Sequence, residues 1–280
     1  MQSDSTEGDA KPAGMSNLAQ RLIVAAIGIP VLLMVIITGS TTYSAVVALT
    51  ALAAVREFTR IARSAGARPN TLILPAGVAL YVINATQQEA AAPAITGLVF
   101  TAAIAWGAFR PRDPLAISNV VWTIVGTLYA GFLFSHWLVL RQIPQGMEWT
   151  LLALFGTFAN DTAAYAVGRL IGRHKMAPSI SPGKTWEGAA GALVATSLAV
   201  PALATALGLP LTEPMWLLGP GLSVAAQAGD LAESKLKRLG NVKDSGAMFP
   251  GHGGLLDRLD ALVFVGPLVY YWSIWVSPLP

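Results

Sequence analysis

Long stretches without a charged side chain alternate with short polar segments along most of the chain. The first stretch spans 22–55 and is divided by the polar residues 39–42. An α-helix needs about 20 apolar residues to cross the hydrocarbon core of a bilayer. The pattern therefore predicts an all-α, polytopic membrane protein with about nine transmembrane helices. The other uncharged stretches are 69–88, 90–109, 114–140, 188–212, 214–229 and 261–280, and 149–171 is a further apolar stretch that Asn160 and Asp161 interrupt.

The composition supports this interpretation and limits the available chemistry. Hydrophobic residues make up 54% of the 280 residues and charged residues 12%, whereas a soluble domain has about 25% charged residues. The mean hydropathy is +0.57. The sequence contains no cysteine, which excludes disulfides and thiolate metal ligands. A metal ion would therefore need oxygen ligands or one of the three histidines.

The positions of the basic residues predict the topology. With a cytoplasmic N-terminus and an external C-terminus, every lysine and arginine except Arg141 falls in a predicted cytoplasmic segment, as the positive-inside rule requires. These loops would lie beside anionic lipid headgroups, so the basic pI needs no nucleic-acid partner. We interpret Arg56, Arg60, Arg63 and Arg68 as a lipid-contacting face. The predicted regions are a disordered cytoplasmic tail (1–17), N-terminal transmembrane helices (18–155) and a C-terminal region (156–280) that carries most residues capable of chemistry.

The segment 228–260 concentrates acids, bases and glycines between two apolar stretches. If it is helical from Asp230, then Asp230, Ser234 and Lys237 share one helix face. Asp257 and Asp260 are three residues apart at the start of the last helix, where acids are favoured by its dipole. Acids brought together repel unless a cation lies between them, and hard oxygen ligands suit Mg²⁺.

The same segment supplies groups that suit a phosphorylated ligand. Guanidinium and ammonium groups bind phosphate oxygens, and glycines such as Gly253 and Gly254 let the backbone approach a ligand closely. The bases are Lys237, Arg238, Lys243 and Arg258. The residues thus predict a site for phosphate and metal. The alternative is a solvated, charged loop facing the lipid headgroups.

A second polar segment lies at 158–193. An ionised Asp161 within an apolar helix costs about 2.5–3.5 kcal/mol, which indicates a polar partner or a water-filled cavity. We predict that Asp161 lines the same cavity and holds a cation, the alternative being a packing hydrogen bond with Asn160. Lys184, in the turn-rich stretch SISPGKTWEG, either binds phosphate or pairs with Glu187.

The segment 234–260, SKLKRLGNVKDSGAMFPGHGGLLDRLD, resembles the signature of the phosphatidate cytidylyltransferases, or CDP-diacylglycerol synthases. That signature reads S-x-x-K-R-x₄-K-D-x-G-x₃-P-G-H-G-G-x-x-D-R-x-D, and every fixed position is filled here. The stretches GDLAES, ISPGKTWEG and NDTAAYAVGRLIGRHK also look like motifs of this family. The resemblance covers the chain from residue 156 onward. The N-terminal half is similar to the family only in being a set of spans.

The resemblance implies an activity in phospholipid biosynthesis. The phosphate of phosphatidic acid would attack the α-phosphorus of CTP, giving CDP-diacylglycerol and pyrophosphate. It further implies a homodimeric enzyme of the bacterial inner membrane that depends on Mg²⁺, with K⁺ as a second cation. The site implied by the motifs, together with the residue chemistry above, has metal ligands Asp230, Asp257 and Asp161; catalytic residues Ser234, Lys237, Asp260, Asp244 and His252; and phosphate-binding residues Arg238, Lys243, Arg258, Lys184, Gly253 and Gly254.

Three rival functions share some of these features. A membrane kinase that uses CTP to phosphorylate a lipid alcohol would have a similar metal and nucleotide site, but an alcohol nucleophile needs a general base. A transporter would use Asp161 as an ion site within symmetric halves, and the sequence has no internal repeat. An alcohol phosphatidyltransferase would carry a D-G-x₂-A-R signature, which the sequence lacks.

Overall fold

The computed structural model describes residues 17–88, 90–211, 214–248 and 253–276, and the chain is mostly helical there. This confirms the helical class, with a short β-hairpin that the sequence analysis did not predict. The elements are α1 Asn17–Ile37, α2 Ser40–Ser64, α3 Ile73–Thr86, α4 Ala92–Ala108, α5 Ala116–Thr127, a π-helical segment Leu128–Leu133, α6 Phe134–Gln142, α7 Gly146–Ile171, β1 Lys175–Ala177, β2 Ser181–Thr185, α8 Trp186–Ala206, α9 Met215–Leu239, α10 Leu256–Leu259 and α11 Leu262–Val276.

Each apolar stretch overlaps one helix, except that 22–55 overlaps α1 and the first part of α2 and that 114–140 overlaps α5, the π-helical segment and α6 in unbroken succession. Helices α2 and α9 continue into charged residues, to Ser64 and Leu239. Within the described ranges, two of these helices, Ala116–Gln142 and Trp186–Ala206, are long and apolar enough to cross a membrane. The number of nine spans and the orientation of the termini stay predictions. The predicted tail, 1–17, lies outside the described residues except for Asn17, where α1 begins.

The surface and the core are those of a membrane protein. Large apolar side chains are exposed on the helices and their ends; Phe109, Ile117 and Leu170 each expose 80% or more of their surface. In water such a surface would be a liability, whereas lipid solvates it. Small residues such as Ala51 and Ala54 are fully buried between helices, which allows the close helix packing usual in membranes.

Two buried clusters hold the helices that carry the acidic segment. One surrounds Trp149 on α7 and Leu222 on α9. The other joins Phe58 and Ile61 of α2 to Leu256 at the start of α10. The N-terminal half therefore packs directly against the segment that contains the family signature.

The hairpin of β1 and β2 precedes α8 and fixes its first turn. The strands are antiparallel, with Lys175 opposite Thr185. Thr185 is the N-cap of α8, and its hydroxyl accepts a hydrogen bond from the Gly188 N–H at 3.2 Å, which satisfies one of the free donors of that turn. Glu187 is paired with His174, so it does not take Lys184 as its partner.

Candidate active site

Helices α7, α9 and α10 and the hairpin surround a cavity of about 670 Å³. The charged side chains that line it are predicted site residues from four different parts of the chain. They are the acids Asp161, Asp230, Asp257 and Asp260 and the bases Lys184 and Arg258. The fold thus brings together six of the predicted residues around one space large enough for a polyphosphate and its counterions.

The wall formed by α9 has part of the arrangement predicted from helical spacing: Asp230 and Ser234 contact each other, whereas Lys237 does not line the cavity. Asp230 accepts a hydrogen bond from Ser234 Oγ at 3.3 Å, one turn further along. Its other carboxylate oxygen lies 2.7 Å from Lys184 Nζ on β2. The hairpin therefore delivers a positive charge to the acid on α9, and both side chains remain partly exposed to the cavity.

Lys237 lies behind the cavity wall and joins α9 to α10. Its ammonium group donates to Asp257 Oδ1 at 2.6 Å and lies 2.7 Å from Glu233 Oε2. The three side chains are 12% (Lys237), 1% (Glu233) and 5% (Asp257) exposed. Burial raises the pKa of Glu233 to about 8, so at neutral pH the Lys237 charge mainly balances Asp257. Lys237 contacts both acids from behind the wall and does not face the cavity as a phosphate ligand.

Both carboxylate oxygens of Asp257 accept hydrogen bonds, Oδ1 from Lys237 and Oδ2 from three other donors. Its Oδ2 accepts from the Ser245 N–H at 2.9 Å, from Ser245 Oγ at 2.9 Å and from the Gly254 N–H at 2.7 Å. Burial alone raises the pKa of Asp257, but the Lys237 ammonium and the two N–H donors outweigh it, and the pKa lies below its ordinary value. Asp257 is therefore an ionised group with a fixed orientation.

Asp260 and Asp230 are two acids of the same cavity wall. Burial of the Asp260 carboxyl, followed by the charge of Asp230, raises the pKa of Asp260 above its ordinary value. The Ala261 N–H donates to Asp260 Oδ1 at 2.8 Å and fixes the side chain. The charge of Asp230 that raises the pKa of Asp260 gives this wall a negative potential, which attracts a cation.

Two alternatives were open for Asp161 from the sequence, a place in the cavity wall and a packing bond with Asn160, and the structure contains both. Asp161 lines the cavity, and its Oδ1 accepts a hydrogen bond from Asn160 Nδ2 at 3.1 Å. Asn160 is itself buried, and its Oδ1 accepts from Ser223 Oγ at 2.7 Å. The packing bond and the position in the cavity coexist, because Asn160 orients Asp161 toward the open space.

Some predicted residues lie elsewhere. Lys243 and Asp244 are exposed in the loop after α9 and do not line the cavity. Arg238 is also outside the lining and ties α9 to the hairpin through a bond from Nε to the Ile180 carbonyl at 3.1 Å. His252 lies outside the described residues.

Gly253 and Gly254 pack against the acidic segment itself. Gly253 has a φ of +81°, and a Cβ there would lie 2.7 Å from Asp257 Oδ2. A Cβ on Gly254 would lie 2.5 Å from the Gly246 nitrogen and 2.6 Å from Glu57 Oε2. Their missing side chains therefore make room for the carboxylates and backbone around Asp257, and neither glycine belongs to the cavity lining.

Comparison with known proteins places this chain in a family. The model of the cytidylyltransferase family matches residues 19–275. The chain belongs to the cytidylyltransferase family. It is similar to the phosphatidate cytidylyltransferase of Synechocystis, with 32% identity over 295 residues, covering 93% of this chain and 98% of that relative.

Two further relatives with the same name match a shorter stretch of this cytidylyltransferase-family chain. The Bacillus subtilis protein is 36% identical over 162 residues, which is 57% of this chain and 60% of the relative. The Brucella suis protein is 44% identical over 163 residues, or 56% of this chain and 59% of the relative.

The donor atoms in the cavity fit a hard divalent cation. They are carboxylate oxygens, the ligand type that Mg²⁺ prefers. In the described ranges, no three acidic or histidine side chains are grouped closely enough to form a ligand set by themselves. Mg²⁺ commonly takes one or two carboxylates and completes its shell with water and substrate phosphates, so the residues of this family member fit such a mode of binding.

Sequence reasoning missed three residues of this site: Glu57, Glu233 and Ser245. Glu233 is one turn before Lys237 and was detectable as an acid at i, i+4 spacing. Glu57 lies in the buried stripe of α2 with Ala54, Phe58 and Ile61, and an acid in such a stripe indicates a buried polar partner. Ser245 carried no pattern of its own, because it is a single serine in a polar loop.

Proposed function

We propose that this protein transfers the cytidylyl group of CTP to phosphatidic acid. A phosphate oxygen of phosphatidic acid forms a new bond to the α-phosphorus of CTP, and the bond from that phosphorus to the bridging oxygen of the β-phosphate breaks. CDP-diacylglycerol and pyrophosphate are the products. The observation that carries the proposal is the single cavity that joins Asp230, Asp260, Lys184 and Arg258 in a chain matched over 93% of its length by a phosphatidate cytidylyltransferase.

The reaction requires the protein mainly to position the phosphates of the two substrates and to offset their negative charge. The nucleophile is a phosphate monoester with a second pKa of about 6, so it is ionised at neutral pH and needs no strong base. Lys184 and Arg258 line the cavity and offset the negative charge of the two substrates. Groups preorganised in this way stabilise the charge that develops on the leaving pyrophosphate.

The acids of the cavity are the proposed holders of Mg²⁺. Asp230, Asp257 and Asp161 are the proposed ligands, and one or two of them at a time would bind Mg²⁺ together with substrate oxygens. K⁺ is the proposed second cation. When bound there, Mg²⁺ would supply positive charge that shields the polyphosphate. Within the chain, Lys237 keeps Asp257 ionised and oriented, and Ser234 orients Asp230.

The proposal places the protein in the cytoplasmic (inner) membrane as a multi-pass homodimer, with the cavity at the cytoplasmic rim where CTP and the lipid headgroup meet. The distribution of basic residues supports this orientation, and the family resemblance supports the dimer. Because the chain has no cysteine, single cysteines replacing exposed Ser179 and Pro144 can be labelled in intact cells. Only the Pro144→Cys variant should react with an impermeant maleimide, and the opposite result would contradict the orientation.

Labelled CTP tests the reaction itself. The full-length protein in phosphatidic acid-containing liposomes should move label from the α-phosphate of CTP into lipid and release pyrophosphate. Transfer of label from the γ-phosphate into a lipid alcohol would instead establish a kinase and overturn the proposal. Omitting Mg²⁺ or phosphatidic acid provides the blanks.

A further inference from the structure

A buried carboxylate from the N-terminal half contacts the acidic segment. Glu57 lies on α2 and is 8% exposed. Its Oε1 accepts from the Leu255 N–H at 2.9 Å, and its Oε2 accepts from the Leu256 N–H at 2.9 Å and from Ser245 Oγ at 2.8 Å. One side chain thus satisfies two free backbone donors at the start of α10 and a hydroxyl of the preceding loop.

Glu57 and Asp257 share the Ser245 hydroxyl. Ser245 Oγ lies 2.8 Å from Glu57 Oε2 and 2.9 Å from Asp257 Oδ2. A hydroxyl carries one proton and donates to one acceptor at a time, so the two carboxylates are linked through a single donor. The hydrogen bonding of Asp257, and hence its orientation, therefore depends on a residue of the distant helix α2.

The glycines of the signature segment show how closely Glu57 fits. A Cβ on Gly246 would collide with Glu57 Oε1, and a Cβ on Gly254 would lie 2.6 Å from Glu57 Oε2. Both positions are therefore occupied on one side by the Glu57 carboxylate. The loop before α10 therefore packs closely against the Glu57 carboxylate at these two glycines.

We propose that Glu57 is a positioning residue for the active site: it fixes the start of α10 and the Ser245 hydroxyl so that Asp257, Arg258 and Asp260 present their side chains to the cavity. This inference rests on the proposed function for its kinetic consequence, while the contact itself is independent of it. Glu57 does not line the cavity, so it acts through the residues it holds. The neighbouring Arg56 and Arg60 are exposed on the same helix.

The Glu57→Gln variant tests the role with little change in shape. The amide keeps one acceptor oxygen but turns an –NH₂ donor toward N–H or O–H groups that also donate. Loss of a supporting hydrogen bond of this kind typically costs about 10–100-fold in activity. We expect kcat to fall by about that factor, with faster hydrogen exchange of the Leu255 and Leu256 amides. Glu148→Gln, which changes an acid of α7 outside the cavity lining, is the matched control and should leave both readouts unchanged.

A cycle with Ser245→Ala separates positioning from a general loss of stability. Because Glu57 and Ser245 share one contact, from the Ser245 hydroxyl to Glu57 Oε2, the double variant should lose less activity than the product of the two single losses. Fully multiplicative losses, or wild-type exchange at Leu255 and Leu256 in Glu57→Gln, would overturn the inference. If the wild type makes no CDP-diacylglycerol, the proposed function fails, while the exchange measurement, which needs no substrate, still tests the Glu57 contact.

Discussion

Replacing Lys237 with methionine removes the buried cation that two acids share. Methionine keeps the length of the side chain but leaves the carboxylates of Glu233 and Asp257, which are 1% and 5% exposed, without their common partner. Removing one member of a buried ion pair costs about 3–5 kcal/mol, because the charge left behind stays desolvated. We use the free-energy cost measured for buried ion pairs because all three side chains have low exposure. Surface ion pairs contribute much less.

The expected loss is measurable by thermal unfolding in detergent. A change of 1 kcal/mol shifts the midpoint of a large domain by about 2–4 °C, so Lys237→Met should unfold about 6–20 °C below the wild type. At pH 9, above the pKa of about 8 to which burial raises Glu233, adding Glu233→Gln to this variant removes one of the uncompensated charges and should recover part of the shift. Lys235→Met, which changes an exposed lysine of the same helix, serves as the control. Equal midpoints for the two lysine variants, or no recovery in the double variant, would refute the reasoning.

Two further predictions concern the glycines and the cavity wall. Gly254→Ala places a Cβ 2.5 Å from the Gly246 nitrogen, and overpacking of this kind should cost about 1–3 kcal/mol; thermal unfolding measures it, and Gly97→Ala, where a Cβ meets no atom within 4 Å, should not lower the midpoint. Asp161→Asn keeps the bond with Asn160 possible but removes a charge from the cavity, so the Mg²⁺ concentration for half-maximal rate should rise about 10-fold; an unchanged Mg²⁺ dependence would leave Asp161 a packing residue.

The helices were predictable from the sequence because a helix in lipid needs a long uncharged stretch, which is easy to recognise. The uncharged stretches mark where the helices lie, although α2 and α9 continue into charged residues. The charged segment between α9 and α11 was predicted to form a site. The hairpin was not predicted, since Ser181–Thr185 contains a proline and a glycine and was interpreted as a turn-rich loop. Its strand depends on pairing with Lys175–Ala177, which local pattern does not reveal.

The contents of the cavity were predictable only in part. Helical spacing brought Asp230 and Ser234 together correctly, because that relation is local. The pairing of Lys184 with Asp230 and the contact of Glu57 with Ser245 depend on how distant helices pack. A single sequence carries no signal for such pairs, and the exposed positions of Lys243 and Asp244 show the opposite case, in which residues of the signature lie away from the cavity.

The transfer of α-phosphate label from CTP to phosphatidic acid, compared between the wild type and Asp230→Asn, ties the activity to the cavity most directly. Asp230 lines the cavity and contacts Lys184 and Ser234, so the variant should keep its thermal midpoint within a few degrees and lose activity by about 100-fold or more. Wild-type transfer that requires Mg²⁺, together with this loss, is the expected result. Full activity in Asp230→Asn would contradict the assignment of the cavity as the site of the reaction.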